Sequence, residues 1–247
     1  YQKAGLTIID EDDIRAAEPN GHKLDSYSDT GKSGNDIAFT GAKDAVDAYL
    51  KAGYIWDSAK NKATDGTKAD NYDGLKIGKL DKDASKDQNW TIYLKHGTTT
   101  FDPDKPNQPE PGAKLNPDDP NQDGPKVTKD MVDDKKQVTS TINYIVSDSK
   151  SNPAAPAAPK KNVQTATWKR TITVDNVTGH IISSTDWKTS DHYTKVDTPD
   201  LGGYYADKSS VPAPQVTQEN VTTDVTYYPY QKAGLTIIDE DDIRAAE

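Results

Sequence analysis

The sequence contains no cysteine, a single methionine and only two phenylalanines among its 247 residues. Without cysteine, the chain can form no disulfide bond, no thiolate nucleophile and no cysteine-ligated zinc site. Large apolar residues are also scarce, because Leu, Ile, Val and Phe together occupy 39 positions. Thirteen tyrosines and four tryptophans replace part of that apolar surface, and these residue types suit half-buried strands. We therefore expect folded, β-rich domains with small cores.

Excess positive charge and long apolar runs are absent as well. Forty acidic residues outnumber thirty Lys and Arg, so the net charge is −10, whereas phosphate binding needs clustered basic side chains. The apolar runs are far shorter than the roughly 20 residues needed to span a bilayer. The sequence thus predicts neither a nucleic-acid partner nor a membrane partner.

One long segment of the sequence occurs twice. Residues 1–18 recur without a change as residues 230–247, at an interval of 229 residues. An interval of that length is too long for a solenoid unit and indicates tandem copies of whole domains. We interpret residues 230–247 as the start of the next tandem repeat, which makes adjacent repeats of the same protein partners of this one.

Proline divides the repeat. Seven of the 15 prolines lie within residues 102–125, and such a density favours extended, semi-rigid chain over helix or interior strand. We therefore predict a first module at 1–101, a Pro-rich linker at 102–125 and a second, mostly β module at 126–229.

Hydrophobic periodicity predicts strands in both halves and one helix. Alternating apolar residues predict strands at 6–9 and 90–94 in the first half and at 138–146 in the second. The helix is expected to be capped by Thr40 and ended by Gly53. Its core-facing side chains are predicted to be Ala42, Ala45, Val46, Tyr49 and Leu50.

Residues with catalytic potential are few. The acidic run at 10–13 is interpreted as a solvated turn. No pattern places two carboxylates in an apolar pocket, where acid–base catalysis would need a shifted pKa. The chain is therefore predicted not to be an enzyme and to require no cofactor. The four histidines are too widely spaced for a ligand set and are interpreted as surface or strand-end residues: His22, His96, His180 and His192.

Calcium is the one metal that a spacing suggests. Gly124 follows three oxygen-bearing residues at alternate positions, an order that resembles the ligand order of an EF-hand loop. The candidate calcium ligands are Asp119, Asn121, Asp123 and Asp130. Prolines stiffen this segment and no helical pattern flanks it, so the alternative interpretation is a polar spacer without metal.

Aromatic residues of the second half are candidate ligand-binding residues, because tyrosine and tryptophan stack on sugar rings and anchor protein interfaces. The candidates are Trp187, Tyr193, Tyr204 and Tyr205. The alternative is that each packs inside a strand core that has little Leu and Phe.

Several short motifs follow one another along the chain. In the first half they are the opening strand 2–10, the turn Asp29–Gly34, the helix end Tyr49–Tyr54 and the strand Trp90–Thr98. In the second half they are Trp168–Thr173, Asp175–Gly179, Asp186–Trp187, Thr198–Pro199 with Gly203–Tyr204, and Val225–Tyr228. Their order and spacing resemble the mucus-binding (MucBP-type, Mub) repeats of large surface adhesins from lactobacilli and related Gram-positive bacteria.

This resemblance implies an α+β, β-rich fold made of two β-grasp (ubiquitin-like) modules in tandem, with an elongated shape. It also implies an extracellular protein of the cell surface, anchored to the cell wall through a region outside this fragment. The implied function is adhesion to host mucus by binding mucin glycoproteins and their glycans. Immunoglobulin binding, and a structural stalk without a ligand of its own, are the alternative functions.

Overall fold

The computed structural model describes residues 1–245. The predicted next repeat, 230–247, therefore ends with two residues that lie outside the described part of the chain. Within the described residues there is one α-helix, α1 (Ala42–Lys51). The strands are β1 (Gln2–Asp10), β2 (His22–Gly31), β3 (Tyr54–Trp56), β4 (Gln88–His96), β5 (Thr98–Phe101), β6 (Lys135–Val146), β7 (Asn162–Lys169), β8 (Ile172–Asp175), β9 (Ile181–Ser184), β10 (Val196–Asp197), β11 (Tyr204–Ala206), β12 (Ser210–Val211) and β13 (Val221–Pro229).

Contacts between residues group the chain into two compact units. The first unit contains Tyr1–Lys135 and Lys169–Trp187, and the second contains Lys136–Trp168 and the chain from Lys188 onward. The chain thus leaves the second unit after β7, contributes β8 and β9 to the first unit, and then returns.

The first unit is built on a four-stranded sheet with the strand order β2-β1-β4-β3. The central strand β1 is antiparallel to β2 and parallel to β4. Alternate residues of β1 point to one face, so Ala4, Leu6 and Ile8 are fully buried in a core that also contains Val46 of α1. The alternation that predicted these strands is therefore confirmed.

The helix α1 covers one face of this sheet but differs in detail from its prediction. Gly41, in the left-handed conformation with φ of 84°, occupies the N-cap position, and no side chain caps the helix there. The predicted cap by Thr40 is therefore wrong. Ala42 and Val46 are buried as predicted, whereas Leu50 is 39% exposed. Ala45 and Tyr49 are partly buried, and Tyr49 packs against the same core.

The Pro-rich segment 102–125 is partly packed rather than wholly exposed. Leu115 lies in a core cluster with Phe101 of β5 and Ile172 of β8. The strands β5, β8 and β9 form a three-stranded antiparallel sheet beside this cluster. The contacts therefore assign this segment to the first unit, although its prolines leave it without strands. This grouping differs from the predicted boundaries at 101 and 126.

The second unit repeats the strand arrangement of the first. Its main sheet has the order β11-β13-β6-β7, with β6 and β13 parallel at the centre and β11 antiparallel to β13. The predicted alternation in 138–146 is confirmed, because Val138, Ile142 and Tyr144 are all buried. No α-helix occurs within residues 136–245. No helix in the described part of the chain is long and apolar enough to cross a membrane.

Candidate functional site

Three tyrosine rings cluster on the surface of the second unit. Tyr205 of β11 lies directly opposite Tyr228 of β13 in the sheet register, and their ring centroids are 5.7 Å apart. Tyr230 follows β13, and its ring centroid is also 5.7 Å from that of Tyr205. The exposed fractions are 47% for Tyr205, 41% for Tyr228 and 65% for Tyr230. We call these three residues the tyrosine cluster.

A cleft of about 230 Å³ adjoins the tyrosine cluster, and Tyr205 and Tyr230 form part of its lining. The lining also includes the segment Thr198–Leu201, in which Asp200 carries a carboxylate, and Ser209. The site therefore combines aromatic rings with hydroxyl and carboxylate groups, which is the chemistry that sugar rings contact through stacking and hydrogen bonds.

Tyrosine hydroxyl groups hold the walls of this cleft in place. Strand alternation turns Tyr204 and Tyr227 inward while their neighbours face solvent. The hydroxyl of Tyr227 donates to the backbone oxygen of Pro199 at 2.7 Å, and that of Tyr204 donates to the carboxylate of Asp148 at 3.0 Å. Burial and the neighbouring Asp148 carboxylate raise the pKa of Tyr204. Tyr204 therefore stays protonated and acts as a donor that positions β11.

The other two aromatic candidates lie elsewhere. Tyr193 is 5% exposed and packs in a core cluster with Val138 and Ala166, so its ring is unavailable to a ligand on the surface. Trp187 belongs to the first unit, where the guanidinium carbon of Arg170 lies 4.3 Å from its ring centroid. The structure thus brings together Tyr204 and Tyr205 of the four candidates.

The candidate calcium ligands are engaged in local turns. Asp119 is 5% exposed, and its carboxylate accepts the backbone N–H of Asn121 at 2.9 Å. The side-chain oxygen of Asn121 accepts the N–H of Asp123 at 3.0 Å, while Asp130 begins a short 3-10 helix. Within residues 1–245, no three acidic, histidine or cysteine side chains are grouped so that they could hold a metal ion. Calcium binding stays a prediction.

A second groove lies on the first unit beside α1. Its volume is about 220 Å³, and Leu50, Trp56 and Tyr72 form its apolar part. Lys43 and Asp73, which also line it, form an ion pair at 2.9 Å. The exposed Leu50 thus lies in the wall of this groove. The groove is a second candidate site for ligand binding.

A buried charged cluster surrounds His96 in the first unit. Nε2 of His96 lies 2.7 Å from Oδ2 of Asp10, and Nδ1 lies 2.7 Å from Oδ2 of Asp175. The hydroxyl of Tyr54 donates to the same Asp10 oxygen at 3.0 Å. Asp10 is 3% exposed, so the prediction of a wholly solvated acidic turn at 10–13 is wrong for its first residue.

Both ring nitrogens of His96 face carboxylates, which accept hydrogen bonds and cannot donate them when ionised. Burial lowers the pKa of His96, but hydrogen bonds and charge from Asp10 and Asp175 outweigh burial, so the pKa is raised above its usual value. Burial raises the pKa of Asp175, but hydrogen bonds from His96 and from backbone N–H groups outweigh it, so the pKa is lowered. The ring thus links two chain segments, with a carboxylate at each of its nitrogens.

Sequence reasoning missed Tyr228 and Tyr230. The run Tyr227–Tyr228–Pro229–Tyr230 could have indicated them. Adjacent residues of a strand face opposite sides of the sheet, so one of Tyr227 and Tyr228 must face solvent when the other is buried. The same alternation applies to Tyr204 and Tyr205. Pairing between the two segments could not be predicted because it joins residues more than 20 positions apart.

Comparison with known families accounts for both halves of the chain. A family model described as a mucin binding domain matches residues 2–96, and one described as a Muc B2-like domain matches residues 129–231. No curated protein sequence matches the chain. The resemblance to MucBP-type and Mub repeats is therefore confirmed as a mucin binding domain match in the first half and a Muc B2-like domain match in the second.

The chain is also similar to solved structures, and the match to Mub-RV supports the same fold. The chain is similar to Mub-RV, with a TM-score of 0.57 at 20% identity over 94% of this chain and 100% of that one. The type 2 repeat of the mucus binding protein MUB from Lactobacillus reuteri has a TM-score of 0.47 at 20% identity, covering 93% and 100%. The MucBP domain of an adhesion protein from Pediococcus pentosaceus has a TM-score of 0.33 at 26% identity, covering 38% and 99%.

Proposed function

We propose that this chain is a repeat of an extracellular, cell-surface adhesin and that it binds mucin glycans through the tyrosine cluster. The observation that carries the proposal is an exposed tyrosine ring, Tyr205, that contacts the exposed rings of Tyr228 and Tyr230 beside a cleft with polar groups. Exposed aromatic side chains that form one contiguous patch often mark a surface that a ligand or a partner covers.

The charges of the cleft favour neutral sugars. Asp200 is the charged residue of its lining, and the nearby Lys208 already pairs with Asp207 at 3.5 Å. A carboxylate in the wall accepts hydrogen bonds from sugar hydroxyls but repels sialic acid and sulfate groups. We therefore propose neutral mucin glycans as the ligand class.

We also propose that each unit is a β-grasp module, the second one without a helix. The support is the shared strand order, in which the first and last long strands of each unit run parallel at the centre of the sheet. In the second unit, the chain between β7 and β11 occupies the position in sequence that α1 has in the first unit.

Binding of the full chain to immobilised mucin tests the proposed site. We expect Tyr205→Ala or Tyr228→Ala to weaken binding about tenfold, which corresponds to about 1.4 kcal/mol. Leu50→Ser, in the groove beside α1, serves as the control and should leave the affinity unchanged. Loss of binding with Leu50→Ser but not with the tyrosine variants would move the site to the first unit.

Enzymatic removal of sialic acid from the same mucin tests the ligand class. Desialylated mucin should bind the wild-type chain at least as tightly as untreated mucin. A loss of binding after sialidase treatment, with the tyrosine variants still impaired, would keep the site but contradict a neutral ligand.

A further inference from the structure

A polar cleft of about 460 Å³ lies on the first unit, between the chain that follows β5 and the start of β6. Its apolar part is formed by Pro103, Pro109 and Val132. Val132 packs against the core cluster that contains Leu115, so this wall is held in place. The polar side chains of the lining are those of Lys105, Asn107, Gln108, Glu110, Asp134 and Lys135. We call it the Asp134 cleft.

The carboxylate of Asp134 is buried in this cleft without a partner from another residue. Asp134 is 9% exposed, and its backbone oxygen accepts the N–H of Arg170 at 3.0 Å, which fixes the chain at this point. The carboxylate itself accepts a hydrogen bond from its own backbone N–H. No other residue within 1–245 donates a hydrogen bond to it or forms an ion pair with it. Buried carboxylates normally accept hydrogen bonds from several donors, so this one has room for a donor from a ligand.

The surroundings of Asp134 make the missing partner costly. Burial raises the pKa of Asp134, and the negative charges of Asp102 and Asp133 raise it further, whereas the charge of Lys135 lowers it. An unpaired buried charge destabilises a folded chain. Proteins retain groups of this kind at binding sites, where function offsets the lost stability.

The rest of the lining defines the kind of ligand that fits. In the part of the chain that the structure describes, none of the other five polar side chains of the cleft makes a hydrogen bond or an ion pair with the protein. Two lysines and two carboxylates balance each other in charge. The cleft therefore suits a neutral ligand that carries donors, acceptors and a small apolar group.

We propose that the Asp134 cleft binds a neutral N-acetylated amino sugar. An acetamido group has one N–H donor, one carbonyl acceptor and one methyl group. These three match the carboxylate of Asp134, the ammonium of Lys135 and the apolar side chain of Val132. The hydroxyl groups of the sugar ring match the side chains of Asn107 and Glu110. The cleft lies in the first unit and the tyrosine cluster in the second, so this inference does not rest on the proposed function.

The test is an NMR titration of the full chain with soluble N-acetylgalactosamine, with galactose as the matched sugar that lacks the acetamido group. N-acetylgalactosamine should shift the backbone amide signals of residues 103–110 and 132–135, with a dissociation constant of roughly millimolar order for a ligand of this size. Galactose should bind at least about tenfold more weakly, because it leaves the buried carboxylate without its donor. Tyr205→Ala should leave these shifts unchanged.

Two alanine variants separate contact from charge. Asp134→Ala should weaken the binding of N-acetylgalactosamine at least about tenfold. Asp133→Ala removes the same charge from an adjacent, exposed residue that does not line the cleft, and it should bind like the wild type. The midpoint of urea unfolding of Asp134→Ala should equal or exceed that of the wild type, because the variant loses an unpaired buried charge.

Four results would overturn the proposal. The absence of shifts in the cleft at tens of millimolar sugar would show that it does not bind this class of ligand, whatever the outcome for the tyrosine cluster. Equal binding of galactose would show that the acetamido group is not recognised. Equally tight binding of N-acetylglycinamide would make the ligand a peptide amide. A lower unfolding midpoint for Asp134→Ala would show that the carboxylate stabilises the fold.

Discussion

Nε2 of His96 lies 2.7 Å from Oδ2 of Asp10, a residue 86 positions earlier in the chain. The other ring nitrogen binds Asp175, the last residue of β8, 79 positions later. The backbone N–H of His96 in turn donates to Asp12 at 2.7 Å. One histidine at the end of β4 thus ties the opening strand to a hairpin that the sequence places in the second half.

This link predicts a pH-dependent contribution to stability. Because the pKa of His96 is raised in the folded state, its contribution is complete below the unfolded pKa of about 6.5 and is lost as the pH rises through the folded value. The contribution of Asp175, whose pKa is lowered, is present above its unfolded pKa and is lost as the pH falls through its folded value.

Urea unfolding of wild type and His96→Gln between about pH 6 and about pH 9 measures this contribution. At the lower pH we expect His96→Gln to reduce the free energy of unfolding by about 3 kcal/mol, because two buried carboxylates lose their partner. The difference should shrink towards the higher pH. His192→Gln, at an exposed site, is the control. A difference in the free energy of unfolding between wild type and His96→Gln that does not change with pH would contradict this prediction.

We predict that Gly53 cannot be replaced without loss of stability, because its backbone has a positive φ and because another part of the backbone lies where a side chain would be. Its φ is 105°, and an added Cβ would lie 2.7 Å from the backbone oxygen of Asn176. Gly66 has a similar positive φ of 84° with nothing within 4 Å. Thermal or urea unfolding should show a loss of about 1 kcal/mol for Gly66→Ala, from backbone strain alone. Gly53→Ala should lower the free energy of unfolding by at least about 2 kcal/mol more than Gly66→Ala does. Equal losses for the two variants would show that the backbone of Asn176 does not lie this close to Gly53.

Trypsin should distinguish the two copies of the repeated segment. Lys3 and Lys232 stand in identical local sequence, Tyr-Gln-Lys-Ala-Gly, so their intrinsic cleavability is the same. Lys3 lies in the hydrogen-bonded strand β1, whereas Lys232 lies in exposed chain without a strand. Intact-mass analysis of a short digest should show cleavage after Lys232 long before cleavage after Lys3. Simultaneous cleavage would mean that β1 is not held in the sheet.

Much of the strand content was predictable because it follows from alternation within a short window. The pattern at 138–146 identified the buried face of β6, and that at 90–94 identified β4. The duplicated segment marks the limit of such reasoning. Identical residues form a central strand in 2–10 and no strand in 231–239, since a strand is completed by partners distant in sequence.

The candidate site shows the same limit. Tyr204 and Tyr205 were predictable as an aromatic pair, but their partners Tyr228 and Tyr230 come from the far side of a long connection. The burial of Asp10 and His96 was not predictable either, because charged residues of a turn and a strand end are normally solvated. Their burial depends on each other and on Asp175.

The most direct test of the proposed binding site again uses the duplication. Tyr230 touches Tyr205 in the tyrosine cluster, whereas Tyr1, the same residue of the first copy, is 97% exposed. The measurement is the equilibrium affinity of the full chain for desialylated mucin, with Tyr230→Ala and Tyr1→Ala compared side by side. We expect Tyr230→Ala to weaken binding about five- to tenfold, or about 1 to 1.4 kcal/mol, and Tyr1→Ala to have no effect. Equal affinities for the two variants would contradict this expectation.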